Sequence, residues 1–269
     1  MASVSPIFDQ FEFATMPNVL IETKDRITTL ILNRPERRNA LTIELLTELT
    51  GAVERAGTDP ATRILILRGA GKAFCAGLDL EETTVVEKAH HSAEMVAKTL
   101  LAISQTRLIT IAQIHGAAVA GGAGLMSACD FVVAAERTKI GYPETRRGLV
   151  AGLVMTFLRR QVRERDIREL LFTGDLIGAD RAREIGLVNR VVPPNELENE
   201  TQKIAGSILQ NAPGALASTK ELIEELWSSP VRKDIEAALR HHMEARESPE
   251  AKEGIAAFLE KRLPNWSEA

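Results

Sequence analysis

The chain has 269 residues, of which 45% are hydrophobic and 26% are charged, with a formal net charge of -4 and an isoelectric point near 5.9. This composition is ordinary for a soluble globular protein, and the length predicts one large domain or a domain with an appendage. No uninterrupted apolar run reaches the roughly 18 residues that a membrane span needs, so no membrane partner is expected. A net negative charge does not favour binding to the negatively charged phosphates of nucleic acid, so we expect no nucleic-acid partner either.

The N-terminal stretch and the cysteines indicate the compartment. The first 23 residues contain no Lys or Arg, whereas secretory and organellar targeting segments begin with positive charge. We therefore expect a cytoplasmic protein. The two cysteines, Cys75 and Cys129, are too few for a disulfide framework and do not form a C-x-x-C pair. Both are expected to be small buried side chains.

The N-terminal half begins with two short strands, predicted at residues 19–23 and 27–33 and joined by a turn at Lys24 and Asp25. Thr42 is placed to cap the next helix, in which apolar residues recur at helical spacing until Gly57 and Pro60. The apolar strand "RILILRG" follows, then a glycine-containing loop and a helix at about residues 85–103. The apolar strand "LITIAQIHG" leads into a second glycine-rich turn and helix. The order strand, turn, helix therefore occurs twice.

The C-terminal half ends in helices. Strand character returns in "FVVAAERTKIGYPETRRGLV", short helices extend to Gly186, and "LVNRVVPP" is a last predicted strand. Beyond this strand the pattern is helical from about residue 196 to 263, with breaks predicted at Pro213, Pro230 and Pro249. We therefore expect two units, a core at residues 1–195 and a separate helical region at 196–269.

The glycines of "IHGAAVAGGAGLMSACD" do not match the common phosphate-binding motifs. A P-loop needs Lys and Ser or Thr after its last glycine, the dinucleotide pattern G-x-G-x-x-G fails at Ser127, and no G-x-S-x-G occurs. A small-residue turn before a helix does let backbone N–H groups approach a ligand oxygen. If the N–H groups of Ala76 and Gly121 converge, they could hold a carbonyl oxygen that becomes negatively charged. Close packing of helix on sheet is the alternative use of such small residues.

Three motifs in order, "GAGKAFCAGLDL", "HGAAVAGGAGL" and "GYPETRRGL", resemble the enoyl-CoA hydratase/isomerase (crotonase) family. The likeness runs from "LNRPERRNAL" to "GLVNRVV" and covers most of the chain. The resemblance implies an α/β fold, a crotonase-like spiral of strand-strand-helix repeats with a C-terminal helical trimerisation region. It also implies an acyl-CoA thioester substrate, no separate cofactor, and Ala76 and Gly121 as the oxyanion-hole donors.

The resemblance makes Glu144, in "GYPETRRG", the catalytic acid or base. A carboxyl group in an apolar pocket can acquire the near-neutral pKa that proton transfer beside a thioester carbonyl requires. Familiar hydratases have a second glutamate three residues after the oxyanion-hole glycine, and this chain has Gly124 there. One base suffices to move a double bond, so the departure weakens hydration relative to isomerisation. Glu81 and Glu82 could replace the missing carboxylate, with solvated charges at a helix entry as the alternative. A side chain at Gly124 is expected to point into the pocket.

Substrate-binding residues are expected around the same motifs. Arg34, Arg37, Arg38 and Lys72 could meet the phosphates of coenzyme A, or form only a basic solvated turn. Asp79 matches the motif aspartate and is expected to shape its loop. The full set expected near substrate is Arg37, Arg38, Ala40, Lys72, Gly77, Leu78, Asp79 and Gly124. His115 is expected to be structural, and the adjacent pairs His90-His91 and His241-His242 lack metal-binding spacing, so no metal site is expected.

Four functions remain open at this point. Hydration of a 2-enoyl-CoA leads, enoyl-CoA isomerisation follows, and thioester hydrolysis is third, because the aspartate that family hydrolases use is replaced by Val150 or Ala151. A catalytically weak binding protein is the fourth. Family precedent predicts a homotrimer or homohexamer. The apolar spacing in the tail supports it by predicting packing outside the chain at Ile235, Ala238, Leu239 and His242.

Overall fold

A computed structural model describes residues 16–84 and 86–267. The stretch on which the cytoplasmic expectation depends lies largely outside these residues, as does Val85, the expected start of a helix. Within the described ranges the strands are β1 (Val19–Lys24), β2 (Ile27–Leu32), β3 (Ile64–Gly69), β4 (Ile109–Ile114), β5 (Ala117–Val119), β6 (Phe131–Ala135), β7 (Lys139–Gly141), β8 (Ile177–Gly178) and β9 (Arg190–Val192).

The α-helices of the same ranges alternate with the strands and then follow one another. They are α1 (Ile43–Thr58), α2 (Val86–Gln105), α3 (Gly121–Ser127), α4 (Gly152–Leu158), α5 (Glu164–Thr173), α6 (Ala179–Glu184), α7 (Leu197–Leu209), α8 (Pro213–Glu225), α9 (Val231–Glu247) and α10 (Pro249–Glu260). Short 3₁₀ helices cover Pro35–Arg37, Glu82–Thr84, Pro143–Arg147, Pro194–Glu196 and Asn265–Ser267. No described helix has the length and apolar character needed to cross a membrane.

Six strands form the main sheet in the order β1-β2-β3-β4-β6-β9, and a smaller sheet has the order β5-β7-β8. The hairpin β1–β2 is antiparallel, as predicted, and the other neighbours in the main sheet are parallel. In β3, Leu65 and Leu67 face one hydrophobic core and Ile64 and Ile66 face another. A parallel strand buried on both faces reads as a continuous apolar run, which is why "ILIL" has no polar alternation.

The predicted helix signals are confirmed. Thr42 caps α1, since its Oγ1 accepts a hydrogen bond from the Leu45 N–H at 3.2 Å. In the tail, α8 and α10 begin at Pro213 and Pro249, and Pro230 directly precedes α9. Proline at these positions costs no helical hydrogen bond, because the first N–H groups of a helix lack an internal partner.

The helical tail packs back onto its own chain. Helix α9 lies against α4 and α2, and α10 lies against the 3₁₀ helix Pro143–Arg147. Ile235 and His242, which were expected to pack outside the chain, are only 2% and 7% exposed within it, so that prediction is wrong. A Cβ at Gly152 would lie 2.7 Å from the Ala238 carbonyl oxygen. The absence of a side chain at Gly152 thus lets α9 contact α4 closely.

Candidate functional site

One cavity of about 530 Å³ lies where the repeated turns and the tail meet. Its walls come from residues 36–40, the loop at 76–81, the start of α3, the segment 144–154, and the tail helices α9 and α10. A cavity of this size is typical of small-molecule sites. It brings Glu144 and Gly121 together with most of the residues that the sequence places near substrate.

The two glycine-containing turns are joined by backbone hydrogen bonds. The Cys75 N–H donates to the Ala117 carbonyl at 3.0 Å, and the Val119 N–H donates to the Cys75 carbonyl at 3.0 Å. Ala120 then adopts a left-handed backbone with φ 51°, which costs free energy for a residue with a side chain. Its N–H is held by the Gly141 carbonyl at 2.9 Å, and α3 begins at the next residue.

Ala76 does not have the free N–H that the sequence interpretation assigned to it. That N–H donates to the Arg38 carbonyl at 3.0 Å. The Leu78 N–H, two residues on, has no acceptor in the described part of the chain. It lies beside the second turn, because a Cβ at Gly121 would be 3.9 Å from the Leu78 nitrogen. The unpaired donor of the first turn is therefore Leu78.

Gly121 provides the second unpaired donor. As the first residue of α3, it has an N–H without an intrahelical acceptor, and no other described group accepts from it. Gly121 and Leu78 both line the cavity. A helix start also concentrates partial positive charge. This pair of N–H groups can therefore stabilise a negatively charged oxygen placed between the two turns.

A buried asparagine supports the first turn. The Asn39 side-chain amide donates to the carbonyl oxygens of Ala73 and Phe74 at 2.9 and 3.1 Å, and its Oδ1 accepts from the Arg34 N–H at 2.9 Å. These bonds tie the 3₁₀ helix Pro35–Arg37 to the loop that carries Leu78. Asn39 is not recognisable as a supporting residue from the sequence, because Ala73 and Phe74 lie about 35 residues away.

Glu144 lies on the 3₁₀ helix Pro143–Arg147 and lines the cavity. Only 9% of its surface is exposed, and its Oε2 atom has no hydrogen-bond partner among the described groups. Burial raises the pKa of this carboxyl from its ordinary value of 4.5 to about 7, against smaller opposing effects of its own backbone N–H and of the Arg147 charge. Glu144 can therefore give or take a proton near neutral pH.

Gly124 lies behind the cavity rather than on its surface. A Cβ there would lie 2.6 Å from Cγ1 of Val154 and 3.7 Å from Cδ2 of Leu100. The expectation that a side chain at Gly124 would point into an open pocket is therefore wrong. Val154 itself lines the cavity and is 4% exposed. The Val154 side chain therefore stands between position 124 and the cavity, where a glutamate side chain at position 124 would have to pass.

The expected substrate-binding residues divide into two groups. Five line the cavity, namely Arg37, Arg38, Ala40, Leu78 and Asp79, and three do not, namely Lys72, Gly77 and Gly124. Both Arg34 and Arg37 form ion pairs with the buried Asp79, at 3.3 and 3.4 Å. The expectation that Asp79 shapes its loop agrees with these pairs. In the described chain the Arg38 side chain has no such partner.

Two cavity residues were not identified from the sequence. His242 is buried, its Nδ1 lies 3.3 Å from the Val150 carbonyl, and burial lowers its pKa. Arg147 lines the cavity with its guanidinium 4.2 Å from the centre of the Phe258 ring. His242 lies on α9 and Phe258 on α10, so both contacts exist only because the tail folds back, which helical spacing alone does not indicate. His115 instead bonds the Gly71 carbonyl at 2.9 Å, and the described residues contain no cluster suited to a metal ion.

Comparison with known proteins identifies similar sequences and folds. Residues 22–269 match the family model for enoyl-CoA hydratase/isomerase. A Thermus thermophilus protein is 39% identical over 90% of this chain and 98% of its own length. The crotonyl-CoA hydratase of Syntrophomonas wolfei is 36% identical over 93% of this chain and 97% of its own length. The crystal structure of an enoyl-CoA hydratase from Mycobacterium avium has a TM-score of 0.82 at 32% identity, covering 93% of this chain and 98% of that one.

The buried Glu144 carboxyl predicts a pH-dependent stability. Above about pH 4.5 the unfolded chain loses a proton that the native carboxyl keeps until about pH 7. The free energy of unfolding should therefore fall by about 3 kcal/mol over this interval from this group alone. Glu144→Gln cannot ionise, so its stability relative to the wild type should rise by about that amount between about pH 5 and about pH 8. Denaturant unfolding at both pH values measures this, and a pH-independent difference would contradict the raised pKa.

Proposed function

Since the chain belongs to the enoyl-CoA hydratase/isomerase family, we propose that it adds water to the double bond of a 2-enoyl-CoA thioester. The proposal is based on one observation. A carboxyl group with a pKa of about 7 shares a cavity with two N–H groups that have no acceptor among the described residues. Water addition next to a thioester requires these two features, a proton carrier active near neutral pH and donors for a carbonyl oxygen.

The thioester oxygen binds the N–H groups of Leu78 and Gly121. Attack at C3 moves the double-bond electrons onto this oxygen and forms an enolate, so the oxygen is more negative in the transition state than in the substrate. Donors fixed in advance stabilise the transition state more than the ground state, which lowers the barrier. The Asn39 hydrogen bonds and the strained Ala120 backbone hold the two turns that carry these donors.

Glu144 moves the proton. Its ionised form takes a proton from water while the water oxygen bonds to C3. The enolate then collapses as a proton is delivered to C2, which restores the carbonyl and gives a 3-hydroxyacyl-CoA. A single carboxyl group can supply the proton that it has just received, so the balance is one water added and no net proton released. No separate cofactor takes part in this scheme.

The coenzyme A part of the substrate lies toward Arg38. This side chain lines the cavity, and no described carboxylate pairs with it. Arg34 and Arg37 contribute less than the sequence suggested, because both already pair with Asp79. The role of Lys72 is limited by its position outside the cavity wall.

Isomerisation of a 3-enoyl-CoA is the second candidate, and Val154 favours it. The Val154 side chain occupies the space in front of Gly124, so no carboxylate at position 124 orients water in this cavity. Glu144 alone can remove a proton from C2 and return it to C4. The same two N–H groups stabilise the dienolate that forms between these steps.

An assembly of three or six copies is part of the proposal. The support now comes from α8 and the residues after it, where Leu222, Ile223, Leu226 and Trp227 are between 38% and 77% exposed. A run of exposed apolar side chains of this kind is typical of subunit contacts. Light scattering on the purified protein gives the mass that tests it. The cytoplasmic location stays a prediction of the sequence.

Glu144→Gln tests the proposed chemistry. The substitution keeps the shape of the side chain and removes the proton carrier, so turnover of crotonyl-CoA should fall by about 10²-fold or more while thioester binding changes little. Loss of thioester absorbance follows hydration. The matched control is Glu36→Gln at the exposed rim of the same cavity, which should keep wild-type turnover. An active Glu144→Gln variant would transfer the catalytic role to another group.

Val154 allows a test of hydration against isomerisation. Gly124→Glu alone should perturb folding or block the cavity, because its Cβ would lie 2.6 Å from Val154 Cγ1. Val154→Ala removes that atom and leaves Cβ of residue 154 at 3.5 Å, an ordinary contact distance. The double variant should therefore fold and raise the ratio of hydrated to isomerised product several-fold over Val154→Ala. An unchanged ratio in a folded double variant that binds thioester would show that a second carboxylate does not decide the chemistry.

A further inference from the structure

Arg147 is a cation in the cavity wall whose charge has no carboxylate partner. Among the described residues no carboxylate oxygen lies within 4 Å of its guanidinium. Nη1 donates one long hydrogen bond of 3.3 Å to the Pro143 carbonyl, and Nε is buried without an acceptor. The neighbouring Arg146 is different, because it points away from the cavity and pairs with Asp175.

Burial makes this arrangement costly for a protein without a ligand. Arg147 is half-buried, and burial lowers its pKa. Charged groups removed from water are normally paired, since the lost hydration must be replaced by a partner. Glu144 interacts with Arg147 only electrostatically and without an ion pair, and burial raises the pKa of its carboxyl to about 7, which weakens it as a counter-ion near neutral pH. An anion entering the cavity would supply the missing partner.

The guanidinium is held in place before any ligand binds. Its carbon atom lies 4.2 Å from the centre of the Phe258 ring, within the range of a cation–π contact. Helix α10, which carries Phe258, is docked closely, since a Cβ at Gly254 would lie 2.5 Å from the Arg147 carbonyl oxygen. Lys261, at the end of the same helix, also lines the cavity. A fixed, planar guanidinium is well suited to bind carboxylate or phosphate.

We propose that Arg147, stacked on Phe258, forms an anion-binding subsite within the substrate cavity. The anion is a carboxylate on the acyl group of the bound thioester, because Arg147 lies on the same 3₁₀ helix as Glu144, which acts at the acyl carbons. The inference rests on the proposed function, because it assumes that a CoA thioester occupies this cavity. It adds to that function a charged contact that selects among thioesters.

Binding of saturated thioesters tests the subsite without depending on turnover. The ligands are butyryl-CoA, glutaryl-CoA and S-butyrylpantetheine, which differ in an acyl carboxylate and in the phosphates. The proteins are the wild type, Arg147→Gln and the matched control Arg146→Gln, compared by titration calorimetry. If the anion is an acyl carboxylate, Arg147→Gln should weaken glutaryl-CoA at least tenfold and butyryl-CoA little. A loss of at least tenfold for both CoA esters, with S-butyrylpantetheine little changed, would mean that Arg147 contacts a phosphate of coenzyme A, and it would overturn the assignment.

Other outcomes would overturn the inference. Equal affinities in the wild type and Arg147→Gln, or an equal loss for all three ligands, would mean that Arg147 does not recognise an anion. Arg147→Lys keeps a positive charge and should recover part of the lost affinity, which separates charge recognition from a packing defect. Loss of anion binding in Arg146→Gln as well would also contradict the assignment. Failure of the wild type to bind butyryl-CoA would instead count against the proposed function.

Discussion

The burial of one carboxyl group beside two unpaired backbone donors is the constraint on which the site depends. Glu144 is buried on the 3₁₀ helix Pro143–Arg147, against which α10 and α5 pack, and this burial raises its pKa to about 7. Among the described residues the Leu78 and Gly121 N–H groups have no acceptor, whereas the N–H groups of Ala76 and Ala120 donate to the carbonyls of Arg38 and Gly141. The fold thus combines a proton carrier and an oxyanion site in one cavity.

The helical tail contributes to the chemistry as well as to the architecture. Helix α9 reaches the cavity because Gly152 allows close contact with α4, and α10 covers the 3₁₀ helix that carries Glu144. Without these helices Glu144 would be solvated, and its pKa would return toward the ordinary value for a carboxyl group. The same packing orients Arg147 through Phe258. Catalytic and recognition properties therefore depend on residues far apart in the sequence.

Local patterns predicted the elements well, and the site only in part. The hairpin, the Thr42 cap and the proline-marked helix starts follow from periodicity and from single-residue rules, so they could be identified from the sequence. The assignment of the free donor to Ala76 was wrong, because the Ala76 N–H donates to the Arg38 carbonyl. Arg38 lies nearly forty residues away in the sequence, so local patterns do not indicate this bond. The blocked space at Gly124 depends on Val154 in the same way, through a neighbour in space and not in sequence.

The carbonyl stretch of a bound thioester tests the central claim most directly. Crotonyl-CoA labelled with ¹³C at the thioester carbonyl, bound to the inactive Glu144→Gln variant, can be followed by isotope-edited infrared spectroscopy. Two hydrogen bonds from Leu78 and Gly121 should polarise the C=O bond, so the account predicts a clear shift of the stretch to lower frequency relative to the free thioester in water. A bound thioester whose stretch is unchanged or moves to higher frequency would show that the two N–H groups do not hold the oxygen.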